Sequence, residues 1–131
     1  MTRTLTFVLC ALVGTSAALS AHHSFSSYYF EDQSVTLEGD VVEFEYRAPH
    51  AWVRFSVADG QGRVNVYGAE WANPARLGRD GVTKDTIKPG DMVKITGSPG
   101  RNDADRVVHL KRIERSSDGW SWRGRGRQRG R

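Results

Sequence analysis

The chain has 131 residues, enough for one domain, and 38% of them are hydrophobic. Its formal net charge of +4 is unevenly distributed, because five of the nineteen basic residues are arginines in the last nine positions. Without those five and Arg3, thirteen basic residues face fifteen acidic ones. These numbers exclude a multidomain architecture and a generally basic folded surface.

Residues 1–21 have the organisation of a secretion signal. Arg3 precedes an apolar run over residues 5–13, and small residues lead to Ala21. The run is shorter than the roughly 20 residues that a membrane span needs. We therefore predict a signal peptide, a periplasmic or secreted mature protein and no transmembrane segment after processing. Cys10 is the only cysteine, so the mature chain has no disulfide.

Residues 22–34 form an N-terminal arm that begins with a histidine pair. Cleavage after Ala21 leaves His22 with a free α-amine beside its own imidazole and that of His23. The amine and the His22 ring can chelate one ion together. Alternatively, the amine, the intervening amide nitrogen and the His23 ring can occupy three corners of a square, and planar nitrogen sets of this kind favour copper(II). The amine must lose its proton, which costs little near neutral pH because its ordinary pKa is about 8. Cleavage after Ala18 is the alternative, and it removes the chelating amine.

Residues 35–115 read as short strands with one helical interruption. Strands are predicted over residues 35–47, 51–57, 64–70, 92–97 and 106–114, with a short helix over residues 73–81. The alternation changes phase at Val41-Val42, which indicates a bulge in the first strand. Asn73 can cap the helix and Pro74 suits its first position.

This order of elements predicts an all-β fold. Three strands, a short helix and two strands are the order of a small five-stranded OB-like Greek-key barrel, with the helix between strands 3 and 4. A small open β-sandwich is the alternative.

The connection between strands 1 and 2, together with the outer face of strands 2 and 3, is the usual ligand surface of OB-folds. His50 lies in that connection and is a candidate third copper ligand, provided that the arm folds onto the barrel. Alternation places Val64 and Val66 inward. The outward residues, which form the candidate ligand-binding patch, are then Trp52, Arg54, Asn65 and Tyr67.

Trp52, Tyr67 and His109 also have ordinary structural interpretations. Trp52 and Tyr67 can form a cross-strand pair that only stiffens the hairpin. The face of His109 is ambiguous, and the pattern favours a surface or hydrogen-bonded histidine over a ligand.

Residues 116–131 lack periodicity and are predicted to be a disordered basic tail. Arginine side chains in such a tail bind anionic membranes or polysaccharides weakly and with strong salt dependence. Arginine-glycine segments also bind single-stranded nucleic acid, but export makes specific nucleic-acid recognition unexpected. The candidate polyanion-binding residues are Arg123, Arg125, Arg127, Arg129 and Arg131.

No enzyme signature accompanies these features. The mature chain has no cysteine nucleophile, no Gly-x-Ser-x-Gly elbow and no phosphate-binding loop. We therefore expect a protein that binds a ligand and has no catalytic activity.

Several segments in order resemble the small exported bacterial proteins of domain-of-unknown-function family 6152. They are "AHHSF", "TLEGDVVEFEYRAPHAWVRFSV" and "NPARLGRDGVTKDTIKPGDMVKITGSP", and the resemblance runs from about His22 to Glu114. Family members commonly begin with His-His-Ser-Phe and have Asn-Pro-His-Ala after the first strand. This chain has Ala48 in place of that asparagine, and its loop "GRNDADR" and arginine-rich tail also depart from the pattern. The resemblance implies a small, exported, β-rich protein and assigns no activity.

Two function hypotheses follow from these residues. The first is a periplasmic binding protein with a copper(II) site at His22, His23 and His50. The second is a metal-free OB-type module that binds an oligosaccharide, a peptide or a partner protein through the outer face of strands 2 and 3.

Overall fold

A computed structural model describes residues 24–125 of the chain. The predicted signal peptide, His22, His23 and the last six residues lie outside that range. In chain order the elements are α1 (Phe25–Tyr28), β1 (Val35–Glu45), β2 (Trp52–Ala58), β3 (Val64–Glu70), α2 (Pro74–Arg79), β4 (Met92–Pro99), a 3-10 turn (Asp103–Asp105), β5 (Val107–Arg115) and β6 (Ser121–Arg123). No helix in this part of the chain is both long enough and apolar enough to cross a membrane.

Strands β1 to β5 close into a barrel. The sheet order is β3-β2-β1-β4-β5-β6, and a parallel pairing of β3 with β5 joins the two sides. Every other neighbouring pair is antiparallel. This connectivity confirms the predicted five-stranded OB-like barrel, and the open sandwich is wrong.

The first strand is long enough to pair with two neighbours. Residues 35–40 pair with β4 and residues 40–45 with β2. The register shifts between Val41 and Glu43, which confirms the predicted bulge. The extra residue is Val42, which is 49% exposed, and the bulge lets β1 bend around the barrel.

The helix α2 follows the predicted capping pattern. Asn73 Oδ1 accepts a hydrogen bond from the backbone N–H of Arg76 at 2.8 Å. Gly81, with a φ of +81°, follows the end of the helix in the left-handed conformation that favours glycine. The helix contributes Leu77 to the core. The largest fully buried side chains are Trp71, Phe55, Leu77, Ile87, Ile95 and Ile113.

The faces of β3 are opposite to the predicted ones. Tyr67 lies across from Phe55, whose side chain is fully buried, and therefore points to the same inner side. Val64 and Val66 are 65% and 51% exposed. The predicted outward position of Asn65 and Tyr67 is therefore wrong.

The reversal originates in the connection between β2 and β3. Residues 59–63 join the strands, and the Asp59 carboxylate accepts backbone hydrogen bonds from Gln61 and Arg63. This turn sets the register, and a shift of one residue moves every side chain to the other face. The prediction from the apolar character of Val64 and Val66 therefore assigned these residues to the wrong face.

The chain after Arg115 also differs from the prediction. Residues 121–123 form β6 against β5, so a disordered segment starting at residue 116 is wrong for the described positions up to 125. Trp122 is 8% exposed, and its ring packs edge-on against Trp71 with centroids 5.3 Å apart. Its indole N–H donates to Asp80 Oδ2 at 2.9 Å. Burial of a large aromatic ring outweighs the glycine- and arginine-rich composition here.

Gly39 allows β1 to approach β2 closely, because a Cβ at this position would overlap the backbone carbonyl of Ser56. We expect Gly39→Ala to lower the free energy of unfolding by about 1–3 kcal/mol, measured by urea denaturation of the mature protein. Gly60→Ala is the matched control, since nothing lies within 4 Å of a Cβ there. Equal midpoints for both variants would contradict the close approach.

Candidate functional site

The N-terminal arm packs on the outside of the barrel. Tyr29 is 2% exposed and forms an isolated β-bridge with Gly100. The backbone N–H of Phe30 donates to the Pro99 carbonyl at 2.9 Å, and Arg101 Nε donates to the Ser26 carbonyl at 2.8 Å. These contacts hold the arm against the end of β4 and the loop that follows it.

The arm brings one aromatic ring into contact with two histidines. The Phe25 ring stacks on His109, with centroids 3.8 Å apart and an interplanar angle of 6°. The same ring lies 5.3 Å from the ring of His50. Both histidines and Phe25 line one cavity with a volume of about 630 Å³. The structure therefore brings His50 next to the arm, as the first hypothesis requires.

A carboxylate connects His50 to the arm. His50 Nδ1 lies 2.6 Å from Glu70 Oε1, and the Tyr29 hydroxyl donates to Glu70 Oε2 at 2.5 Å. An ionised carboxylate only accepts hydrogen bonds, so Nδ1 of His50 carries the proton. Burial, followed by the hydrogen bond to Glu70, raises the pKa of Tyr29 well above its usual value, which keeps its hydroxyl protonated as a donor.

The Nε2 atom of His50 consequently keeps its lone pair when the ring is neutral. Within residues 24–125 it has no hydrogen-bond partner, and the side chain is 33% exposed. A histidine whose Nδ1 donates to a carboxylate is oriented for metal binding through Nε2.

His109 contacts a different carboxylate and, unlike His50, also an ammonium group: Lys111 Nζ lies 2.8 Å from His109 Nδ1, so Glu31 alone does not fix the tautomer of this ring. Its Nδ1 lies 2.7 Å from Glu31 Oε1, and Lys111 Nζ donates to Glu31 Oε2 at 2.6 Å. Burial lowers the pKa of His109 below its usual value, against the opposing effect of Glu31, so the ring is neutral near pH 7. The predicted hydrogen-bonded histidine is thus what the structure contains, although it also lines the cavity.

Sequence reasoning did not identify Phe25, Tyr29, Glu31 or Glu70 as parts of this site. The two carboxylates are distant in sequence from the histidines they contact, and only the folded barrel brings them together. The one available signal was the His-His-Ser-Phe segment, in which Phe25 follows the histidine pair.

The predicted patch on strands 2 and 3 is not one surface. Trp52 and Arg54 lie on the outer face, where Trp52 covers Gly68 and Arg54 Nε donates to Glu45 Oε1 at 2.8 Å. Asn65 and Tyr67 lie on the inner side, as described above. The proposed Trp52–Tyr67 pair does not exist either, since Trp52 lies across from Glu70 and Tyr67 across from Phe55.

The described residues do not form a complete metal site by themselves. Between residues 24 and 125, no group of three or more His, Cys, Asp or Glu side chains is placed to hold an ion. His22 and His23 lie outside this range, directly before Ser24 in sequence. Of the tail arginines, Arg123 and Arg125 line the cavity, and the other three are not described.

Comparison with solved structures gives distant likenesses. The chain is similar to the mitochondrial single-stranded DNA binding protein Rim1 of S. cerevisiae, at 14% identity and a TM-score of 0.47, over 64% of this chain and 94% of that one. A selenomethionine-labelled crystal structure of Rim1 gives 17% identity and a TM-score of 0.44, over 63% and 92% of the two chains. The chain is also similar to apo TiaS, a tRNAIle2 agmatidine synthetase, at 19% identity and a TM-score of 0.44, over 63% of this chain but 18% of that one. No curated protein matches the chain in sequence.

A family model matches residues 10–108, which is well over half of the chain. This match includes the arm, His50 and the barrel through the start of β5, and it confirms the resemblance described above. The chain therefore belongs to the Family of unknown function (DUF6152).

Proposed function

We propose that this protein is exported to the periplasm and binds copper(II) through His22, His23 and His50. One observation carries the proposal: the docked arm holds Phe25 beside His50, with ring centroids 5.3 Å apart. Two peptide units separate His23 from Phe25, a span of no more than about 7 Å. A chain of this length allows His22 and His23 to reach the His50 ring, as the proposed site requires.

The tautomer of His50 supports the same function. Glu70 accepts the Nδ1 proton and leaves Nε2 as the nitrogen that can coordinate an ion. Tyr29 holds the second oxygen of Glu70, so docking of the arm and orientation of the imidazole depend on one carboxylate. In the proposed site, His50 supplies a ligand from the barrel, and His22 and His23 supply ligands from the arm.

The donor set favours copper over other divalent ions. An α-amine, an amide nitrogen and imidazole rings supply nitrogen donors alone, with a planar arrangement at the chain end. The mature chain has no thiolate to select zinc or an iron–sulfur cluster. Binding releases the proton of the α-ammonium group and the proton of the coordinating amide, so the affinity is expected to fall as the pH is lowered.

The second hypothesis, a metal-free module acting through strands 2 and 3, has less support. Its four residues are divided between the two faces of the sheet, and Arg54 is already paired with Glu45. We therefore do not propose it as the function of this protein.

The first prediction concerns the mature N-terminus. We expect the intact mass of the protein recovered from the periplasm to correspond to a chain that starts at His22. A start at Leu19 would contradict the proposal, because the α-amine would then lie three residues before the histidine pair.

The second prediction concerns copper itself. We expect native mass spectrometry of the mature protein to show one tightly held copper(II) ion, and electron paramagnetic resonance to show nitrogen ligation. His22→Ala combined with His23→Ala should abolish binding, and His50→Ala should weaken it. Trp52→Ala is the control and should bind as the wild type does. Failure of the wild type to bind copper with micromolar affinity or better would overturn the proposal.

The third prediction tests Glu70 as a positioning residue. Glu70→Gln should weaken copper binding roughly 10- to 100-fold in competition with a chelating dye, because the amide no longer enforces the Nδ1–H tautomer of His50. It should also change the pH dependence of binding, which a purely structural effect would not do.

Two variants control for this effect. Glu38→Gln changes an exposed carboxylate on β1, 4.0 Å from Lys94, and should leave the copper affinity unchanged. Tyr29→Phe removes the arm's hydrogen bond to Glu70 while keeping the carboxylate charge. If Tyr29→Phe and Glu70→Gln gave the same pH profile, the tautomer argument would be wrong and arm docking alone would explain the loss.

A further inference from the structure

The cavity beside the arm contains features that the copper proposal does not use. Its volume of about 630 Å³ lies within the range of small-molecule sites. Trp71, Leu110 and Trp122 are among its lining residues, and Trp122 is the most exposed of the three, at 8%. The cations in its lining are Arg76, Lys111, Arg112, Arg123 and Arg125.

The positive charge of this lining is only partly compensated. No aspartate or glutamate is among the lining residues. Lys111 is paired with Glu31, and Arg112 with Glu114. The other three cations, Arg76, Arg123 and Arg125, have no ion pair with any residue in the described range. Counting partners between residues 24 and 125 alone, the cavity has three guanidinium groups without a carboxylate partner, and such groups are suited to an anion.

Two of these arginines are brought close by strand pairing. Arg112 on β5 lies directly across from Arg123 on β6. Like charges in this position destabilise a sheet unless an anion or a carboxylate compensates them. Glu114 contacts Arg112, whereas Arg123 has no carboxylate partner among the described residues.

One arginine and one aromatic ring of the lining, Arg76 and Trp122, lie side by side. The guanidinium of Arg76 lies 5.9 Å from the centre of the Trp122 ring, and Trp122 is held by its hydrogen bond to Asp80. A ligand in the cavity can therefore contact an apolar ring and a guanidinium together.

We propose that this cavity binds a small organic oxyanion, a carboxylate or phosphate attached to a flat apolar body. Arg76 and Arg123 bind the charged group, and the ring of Trp122, which is 8% exposed, contacts the body. Guanidinium groups suit this role because they donate two parallel hydrogen bonds to carboxylate or phosphate. The site does not require copper, although His50 and His109 line the same cavity.

The test is a titration of the mature protein, kept metal-free with a chelator, followed by tryptophan fluorescence and calorimetry. The probes are 2-naphthoate, 2-naphthyl phosphate, inorganic phosphate and the uncharged 2-naphthamide. We expect the two naphthyl anions to saturate one site. 2-Naphthamide and inorganic phosphate should each bind at least tenfold more weakly. Equal affinity for 2-naphthamide, or no saturation by either anion at millimolar concentration, would overturn the proposal.

Variants locate the site within the cavity. Arg76→Gln combined with Arg123→Gln should weaken binding of the better naphthyl anion at least tenfold. Arg79→Gln, on the same helix but outside the lining, is the matched control and should not change it. An unchanged affinity in the double arginine variant would place the anion elsewhere.

Two further variants distinguish this site from the tail and from the copper site. Replacing Arg127, Arg129 and Arg131 together by Gln should leave the affinity unchanged, and a loss would assign binding to the tail. His22→Ala combined with His23→Ala should also leave it unchanged. Loss of anion binding in that variant would show that the anion site depends on the copper ligands and would overturn the proposal. Failure of the protein to bind copper, with anion binding retained, would leave the anion site intact.

Discussion

The parallel pairing of β3 with β5 is the constraint on which the rest of the structure depends. It closes the barrel and places Glu70 directly beside His109 in register. The arm lies next to this junction, where Tyr29 reaches Glu70 and Phe25 stacks on His109. Without the closure, the two carboxylate–histidine pairs would belong to separate strands, and the arm would lose the surface on which it docks.

Glu70 links the arm to the imidazole ring of His50. Its side chain is 16% exposed and accepts hydrogen bonds from a tyrosine and a histidine. A partly buried carboxylate needs such donors, because desolvation without them is costly. Loss of the Tyr29 hydroxyl therefore loosens the arm, and loss of His50 leaves one oxygen of Glu70 without a partner. This coupling makes the orientation of His50 depend on the docked arm.

Strand β6 adds positive charge to the neighbouring surface. Trp122 anchors β6 through its contact with Trp71 and its hydrogen bond to Asp80. This anchoring positions Arg123 and Arg125 along a cavity with no carboxylate in its lining. Burial of one aromatic side chain thus concentrates positive charge beside two histidines.

Local sequence patterns determined the order of strands, the bulge near Val42 and the Asn73 cap, because each depends on residues close in the chain. They also placed His50 in the connection between β1 and β2, whereas its contact with the arm was found only in the folded structure. The faces of β3 depended on the turn at residues 59–63, which set a register that hydrophobicity alone did not indicate. Only the tertiary structure decided that Glu70, Tyr29 and His50 meet and that Trp122 is buried, because those contacts join positions 20 to 51 residues apart.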